Sequence, residues 1–170
     1  MPGPSGLSSR ILILGDEAKS ARALERLLTA AGYAALSLDN FELAQDEAAR
    51  DDVALVVIEP SASRLVSTSL EPSAEDSGES QKKAEWARAA LGFCQAIRTA
   101  HTTAELPVLV ISKSHRPQDK IAALNHGATD YLHKPYQRAE LLSRVRFHVH
   151  AWQMERERLA RFQQLNILHA

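Results

Sequence analysis

Tyr131-Leu132-His133-Lys134-Pro135-Tyr136 reads as a strand that ends in Lys-Pro, and the residues before it set its context. Gly127-Ala128-Thr129-Asp130 is a turn leading into that strand, which the pattern places at 130–133. Further back, Pro107-Val108-Leu109-Val110-Ile111-Ser112 is an apolar strand closed by a hydroxyl. Between the two, Ile121, Leu124 and Ala128 indicate a short helix ending at Gly127. A lysine and a serine are thus brought to the carboxyl ends of two neighbouring strands.

The same alternation runs through the first half. Ile11-Leu12-Ile13-Leu14, bounded by Gly15-Asp16, has the continuous apolar character of a strand buried on both faces. Ala21, Leu24, Leu27, Leu28 and Ala31 follow at helical spacing, and Gly32 sits where a helix commonly ends. A second strand is expected over 33–38, then a turn at Asp39-Asn40 and a helix to about Arg50. Val53–Ile58 is the third and most uniformly apolar strand, and it ends in Glu59. Helical spacing returns near Lys83 with Trp86, Ala89, Ala90, Phe93 and Ile97, and everything after Gln137 is helical. Five strand–helix alternations predict a doubly wound parallel sheet, because parallel strands need crossovers and helices supply them. In such sheets the functional crevice lies at the carboxyl ends of the strands. Gly15, Asp16, Glu17, Glu59, Ser112 and Lys134 therefore converge on one pocket.

Composition bounds the rest. The 170 residues are 45% hydrophobic and 24% charged with a formal net charge of −1, which suits one globular domain plus an appendage and argues against sequence-independent nucleic-acid binding. Cys94 is alone, so there is no disulfide framework or cysteine metal cluster, and a reducing compartment fits. No apolar run approaches a membrane span, the first residues have no signal-peptide core, and a cytoplasmic location is expected. His148 and His150 are two apart on a helix and face different ways, while His101, His115, His126 and His133 lack ligand spacing. Residues 1–9 read as a disordered lead. Residues 61–83 hold seven serines and four acids and read as a mobile loop, a tolerated insertion or a lid over the pocket.

Over about residues 10–150 the chain resembles the receiver domain of bacterial two-component response regulators, with the 61–83 loop as an interruption. The strand ending in Lys134-Pro135, the strand closed by Ser112 and the turn at Gly127 carry the resemblance. It implies a flavodoxin-like (βα)5 fold with, here, an extended last helix over 151–170. It also implies roles for single residues. Lys134 matches the lysine that pairs with a phosphoryl group, Ser112 the hydroxyl that bonds it, and Tyr131 the aromatic whose rotamer follows phosphorylation. Lys134-Pro135 matches the family's cis peptide. The family's first strand ends in two adjacent acids followed by a third acidic or polar residue. Gly15-Asp16-Glu17 stands there, and the seventeen residues from Gly15 to Gly32 make Gly15 the replacement for the first acid.

Glu59 occupies the position of the phosphoacceptor aspartate. Acceptor chemistry needs a carboxylate oxygen in line with the donor phosphorus and a Mg²⁺ ion held with near-octahedral geometry. Glutamate carries its carboxylate roughly an ångström further out, a shift that can cost about a hundredfold in rate. Asp16 and Glu59 are then expected to hold Mg²⁺ weakly at best, and no cofactor is expected. The expected arrangement is a permanent Glu59–Lys134 ion pair around a relic pocket of Asp16, Glu17, Ser112 and Lys134, structural or mimicking the charge of the phosphorylated state. The expected role is a phosphorylation-independent interaction and dimerisation module, not an enzyme, working with a sensor kinase or an output domain and not with nucleic acid or membrane.

Tyr131 and the surface between the fourth helix and fifth strand would form its partner face. The last helix would pair with itself through Leu142, Val145, Val149, Trp152 and Leu159, which follow three-and-four spacing. The chain end at Ala170 leaves no room for an output domain, so the chain is expected to be the input piece of a longer regulator. The competing reading is a phosphorelay receiver that still accepts a phosphoryl group with Mg²⁺ through a non-standard acceptor, with Asp16 and Glu17 as its acid pair. An unrelated enzyme on this fold would need a nucleophile–base pair or a glycine-rich phosphate loop, and Gly15 lies in no such run.

Overall fold

The computed structural model describes residues 9–66 and 78–169. Five parallel strands, β1 (Arg10–Gly15), β2 (Ala34–Leu38), β3 (Val53–Glu59), β4 (Val108–Ser112) and β5 (Asp130–His133), form one sheet in the order β2-β1-β3-β4-β5. The connecting helices are α1 (Ala18–Ala30), α2 (Phe41–Ala48), α3 (Gly78–Ala100) and α4 (Pro117–Asn125), and α5 (Arg138–Leu168) closes the chain.

The apolar strands are continuous because both faces of the sheet are covered. Leu12, Leu14, Val56, Ile58, Val108 and Val110 point into a core completed by α2, α3 and α4. Their neighbours Ile11, Ile13, Leu55, Val57, Leu109 and Ile111 point the other way, into a core completed by α1 and α5. Helix α2 begins at Asn40, whose side-chain oxygen accepts from the Glu42 and Leu43 N–H groups. Gly32 and Gly127 follow α1 and α4 with φ of 97° and 111°, conformations that need glycine.

Two expectations change. Helix α3 starts at Gly78, five residues before the periodicity shows it, because its first turn is polar and exposed and has no apolar residue to reveal it. The segment after β3 also does not leave the body at once: Ala62 and Leu65 are buried in the α2–α3 core. Val66 is held on both sides by the start of α4, its N–H donating to Asp119 and its carbonyl accepting from Arg116. The centre of the expected loop or lid, 67–77, lies outside the described residues, as does most of the expected disordered lead.

Helix α5 departs from the expected self-pairing seam. Val145, Val149 and Trp152 are buried against the sheet, and Leu142 packs on the same core, so these positions are used by the domain itself. None of them is free for a second helix.

Candidate functional site

The residues at the carboxyl edge meet as the topology requires. Gly15 pairs with Glu59 across β1 and β3, and Ser112 pairs with His133 across β4 and β5. Lys134 follows immediately, across a cis peptide to Pro135. Its ammonium lies 2.7 Å from Glu59 Oε2, where Glu59 is only 4% exposed. It also donates to Ser20 Oγ at 3.2 Å, which ties the pair to α1. On the far side Tyr136 has its phenol pushed up, first by burial and then by the Glu59 charge.

Gly15 sits between α1 and this carboxylate. A Cβ built on Gly15 would stand 3.3 Å from Ala21 Cβ, 3.5 Å from the Glu59 carbonyl oxygen and 3.8 Å from Glu59 Oε1. An acid there would crowd the longer side chain and repel its charge. Gly15 and Glu59 are therefore coupled positions, side by side across β1 and β3. Gly15→Asp is expected to cost about 1–3 kcal/mol in the native background. The cost should fall by about 1 kcal/mol or more when Glu59→Asp is present, a coupling that a double-mutant cycle in urea reads directly.

The other acids are also engaged. Asp16 accepts from the Ser61 N–H at 2.8 Å through one oxygen and from Ser61 Oγ at 2.6 Å through the other. Glu17 meets Lys83 from α3 at 3.6 Å. Ser61, Ser20 and Lys83 carry no motif; only the position of Ser61, two residues past the strand end, could have marked it. Among the described residues no group of three or more His, Cys, Asp or Glu stands close enough to hold a metal ion. At Asp16 and Glu59 an incoming Mg²⁺ would compete with Ser61 and Lys134 for the carboxylate oxygens.

Ser112 is fully buried, and its Oγ accepts from the Ser114 N–H at 3.0 Å, so it does not cap α4, whose N-cap is Arg116. Tyr131 is turned inward and 4% exposed, with its hydroxyl donating to the Ser114 carbonyl at 3.3 Å. His133 Nδ1 donates to the same carbonyl at 2.8 Å, and its ring stands edge-on to Tyr131 and stacks on His115. Ser114 Oγ in turn donates to the buried Asp119, the residue that also holds Val66. The inward tyrosine, the β4–α4 loop and the start of the β3–α3 segment thus form one hydrogen-bonded unit.

A second charge cluster lies at the opposite end of β5. Asp130 accepts from Arg144 at 2.7 Å and from His148 at 2.9 Å. Burial works against its charge, but hydrogen bonds from His148, Arg144 and the Tyr131 N–H outweigh it and hold the carboxyl at about 2. A lowered carboxylate stabilises the fold above its ordinary value, and that contribution is lost as pH falls through the folded value. Urea unfolding from about pH 4 to about pH 2 should show this decline, and Asp130→Asn should flatten it.

The receiver-domain family, described as the response regulator receiver domain, matches residues 90–146. That stretch holds Ser112, Tyr131 and Lys134 and stops short of Asp16 and Glu59. Among curated proteins, 53 residues are 45% identical to the DNA-binding dual master transcriptional regulator RpaA of Synechocystis sp., covering 31% of this chain and 22% of that protein. A stretch of 56 residues is 41% identical to the response regulator ArlR of Staphylococcus epidermidis, covering 33% of this chain and 24% of that protein. The chain thus matches less than a quarter of the length of these relatives.

Solved structures give the fold. A two-component response regulator from Clostridium difficile matches with a TM-score of 0.59 at 20% identity, over 84% of this chain and 96% of that one. The BeF3-activated N-terminal receiver domain of Klebsiella pneumoniae RstA matches with a TM-score of 0.59 at 18% identity, over 82% of this chain and 97% of that one. Residues 90–146 thus match the response regulator receiver domain family in sequence, and the chain shares the fold of solved receiver domains.

Proposed function

We propose that this receiver domain signals without aspartyl phosphorylation, held in one state by the Glu59–Lys134 ion pair, with contact to other proteins as its output. The observation that carries the reading is the 2.7 Å bond between Lys134 and a carboxylate that is part of the chain itself. Glu59 meets the lysine's charge directly, and Ser20 holds the same ammonium from α1. One carboxylate supplies about −1 where a phosphoryl group supplies nearly −2, so the imitation of a phosphorylated site is partial. The inward, hydrogen-bonded Tyr131 agrees with a site fixed in one arrangement. Asp16, with both oxygens on Ser61, gives no support to the competing phosphorelay reading.

On this reading the domain is a signalling module and not an enzyme, acting in the bacterial cytoplasm. Its partners are a sensor kinase or an output domain, reached through the α4–β5 surface that covers the inward Tyr131, and a second copy reached through the last helix. The test is a set of amide NMR spectra. The native resonances of Ser112–Arg116 and Tyr131–Lys134 should stay in place when Mg²⁺ and a small phosphodonor are added. Glu59→Gln, which keeps the shape and removes the charge, should move them. Native resonances that shift with the phosphodonor, or a Glu59→Gln spectrum identical to the native one, would count against the proposal.

A further inference from the structure

Asp119 is a buried charge to which the Glu59–Lys134 pair gives no role. Among the described residues it and Glu59 are the buried carboxylates, 0% and 4% exposed. Glu59 has an ammonium at 2.7 Å, but the Arg116 guanidinium stands 3.8 Å from Asp119. Asp119 is satisfied instead by two uncharged donors from different parts of the chain. One oxygen accepts from the Val66 N–H at 3.1 Å and the other from Ser114 Oγ. Arg116 donates to the Val66 carbonyl at 3.2 Å, so the start of α4 holds both polar groups of that residue's backbone. The 61–66 segment is held by a carboxylate at its other end as well. Asp16, just past β1, takes the Ser61 N–H and the Ser61 hydroxyl. Between the two ends Ala62 and Leu65 are buried in the α2–α3 core, and sliding the segment would expose them.

We propose that the 61–66 segment is a latch between the carboxyl end of β1 and α4, with Asp119 as its positioning residue, and that its closure keeps Tyr131 inward. The link is the cost of leaving a buried carboxylate short of donors. If Val66 departs, Asp119 loses one donor where water does not reach and leans on Ser114 alone. Ser114 is also the residue whose carbonyl accepts from the Tyr131 hydroxyl and from His133 Nδ1. Its own N–H donates to Ser112 Oγ at the end of β4. Movement of the latch is therefore passed to the β4–α4 loop and to the ring beneath the α4–β5 surface. Ser61 carries the same movement to Asp16, because the segment between them is pinned by its buried side chains. The latch stands on its own contacts; its use in signalling rests on the reading of the α4–β5 surface as the partner face. On that reading, opening the latch alters the face with no change at Glu59.

Amide NMR spectra of the full chain test the latch from both ends. Ser61→Ala removes one donor to Asp16, Arg116→Ala frees the Val66 carbonyl, and Asp119→Ala removes the seat of the Val66 N–H. A latch with an open and a closed state predicts that all three shift the resonances of Leu65, Tyr131 and His133 along one common line, since each variant only changes the populations. Asp119→Ala should give the largest shift. Ser61→Ala should move Tyr131 and His133 although its lost bond lies at Asp16, and Arg116→Ala should move Ala62 at the far end. Ser61→Ala and Arg116→Ala carry the test if Asp119→Ala does not fold. Shifts confined to the altered end, or reporters moving in unrelated directions, would overturn the proposal. A common line in these variants supports it whether or not Glu59→Gln moves the same resonances, so the latch and the pocket reading fail separately.

Discussion

Lys134→Ala is expected to destabilise the fold by about 3–5 kcal/mol, the largest loss from any single truncation at the carboxyl edge. The reason lies in what it leaves behind. Glu59 is 4% exposed and its carboxylate has the Lys134 ammonium 2.7 Å away. Removing the cation strands a charge where water does not reach, and that penalty exceeds the modest net worth of the intact pair. Lys134→Ala combined with Glu59→Gln should recover much of the loss, because a neutral amide is cheaper to bury than an unpaired charge. Urea unfolding of the two variants beside the native chain measures both effects. A Lys134→Ala loss below about 1 kcal/mol would place the pair among exposed, weakly coupled bridges.

Arg98→Ala is expected to cost about 3–4 kcal/mol, for a different reason. Arg98 sits at the end of α3 and donates to the carbonyls of Gly127, Leu106 and Thr102 at 2.7, 2.7 and 3.0 Å and to Thr129 Oγ1 at 3.1 Å. It fastens α3 to the chain entering β4 and to the turn before β5. Burial lowers its pKa, and among the described residues no carboxylate forms an ion pair with it, so its charge is answered by carbonyl dipoles. Truncation leaves several partly buried carbonyls unpaired at once. Arg98→Lys should recover less than half, since a lysine cannot present a planar fork to acceptors on several sides. Gly127 belongs to the same lock: a Cβ there would lie 2.5 Å from Arg98 Cγ at a φ of 111°, so Gly127→Ala should approach the same loss. Thermal unfolding of the three variants should place native well above all of them.

The strands and their order of appearance were legible because each is an apolar run of strand length bounded by turn residues, and burial on both faces of the sheet produces that pattern. The meeting of Glu59 with Lys134 was legible too, since both end strands at the same edge of a parallel sheet. The start of α3 was not legible, because its first turn has no apolar periodicity. The apolar spacing in α5 was visible, but the sequence does not say which partner a stripe serves. Val145, Val149 and Trp152 read as a seam for a second helix and turn out to serve the domain's own sheet. The roles of Ser61, Ser20 and Arg98 depend on contacts 45, 114 and up to 31 residues away, and beyond the place of Ser61 just past β3 they have no local signature. Gly15 stood out as a missing acid; that it lies directly beside Glu59, with Ala21 as its tightest neighbour, emerges only when the two strands are laid side by side.

The most direct measurement is the intact mass of the native chain after incubation with Mg²⁺ and a small phosphodonor, beside Glu59→Asp and the Gly15→Asp/Glu59→Asp double variant. The Glu59–Lys134 account predicts an unmodified native chain, with any acyl-phosphate confined to the variants that restore an aspartate acceptor. A stable gain of one phosphoryl group on the native chain would contradict it, and would make this domain a switch with an unusual acceptor.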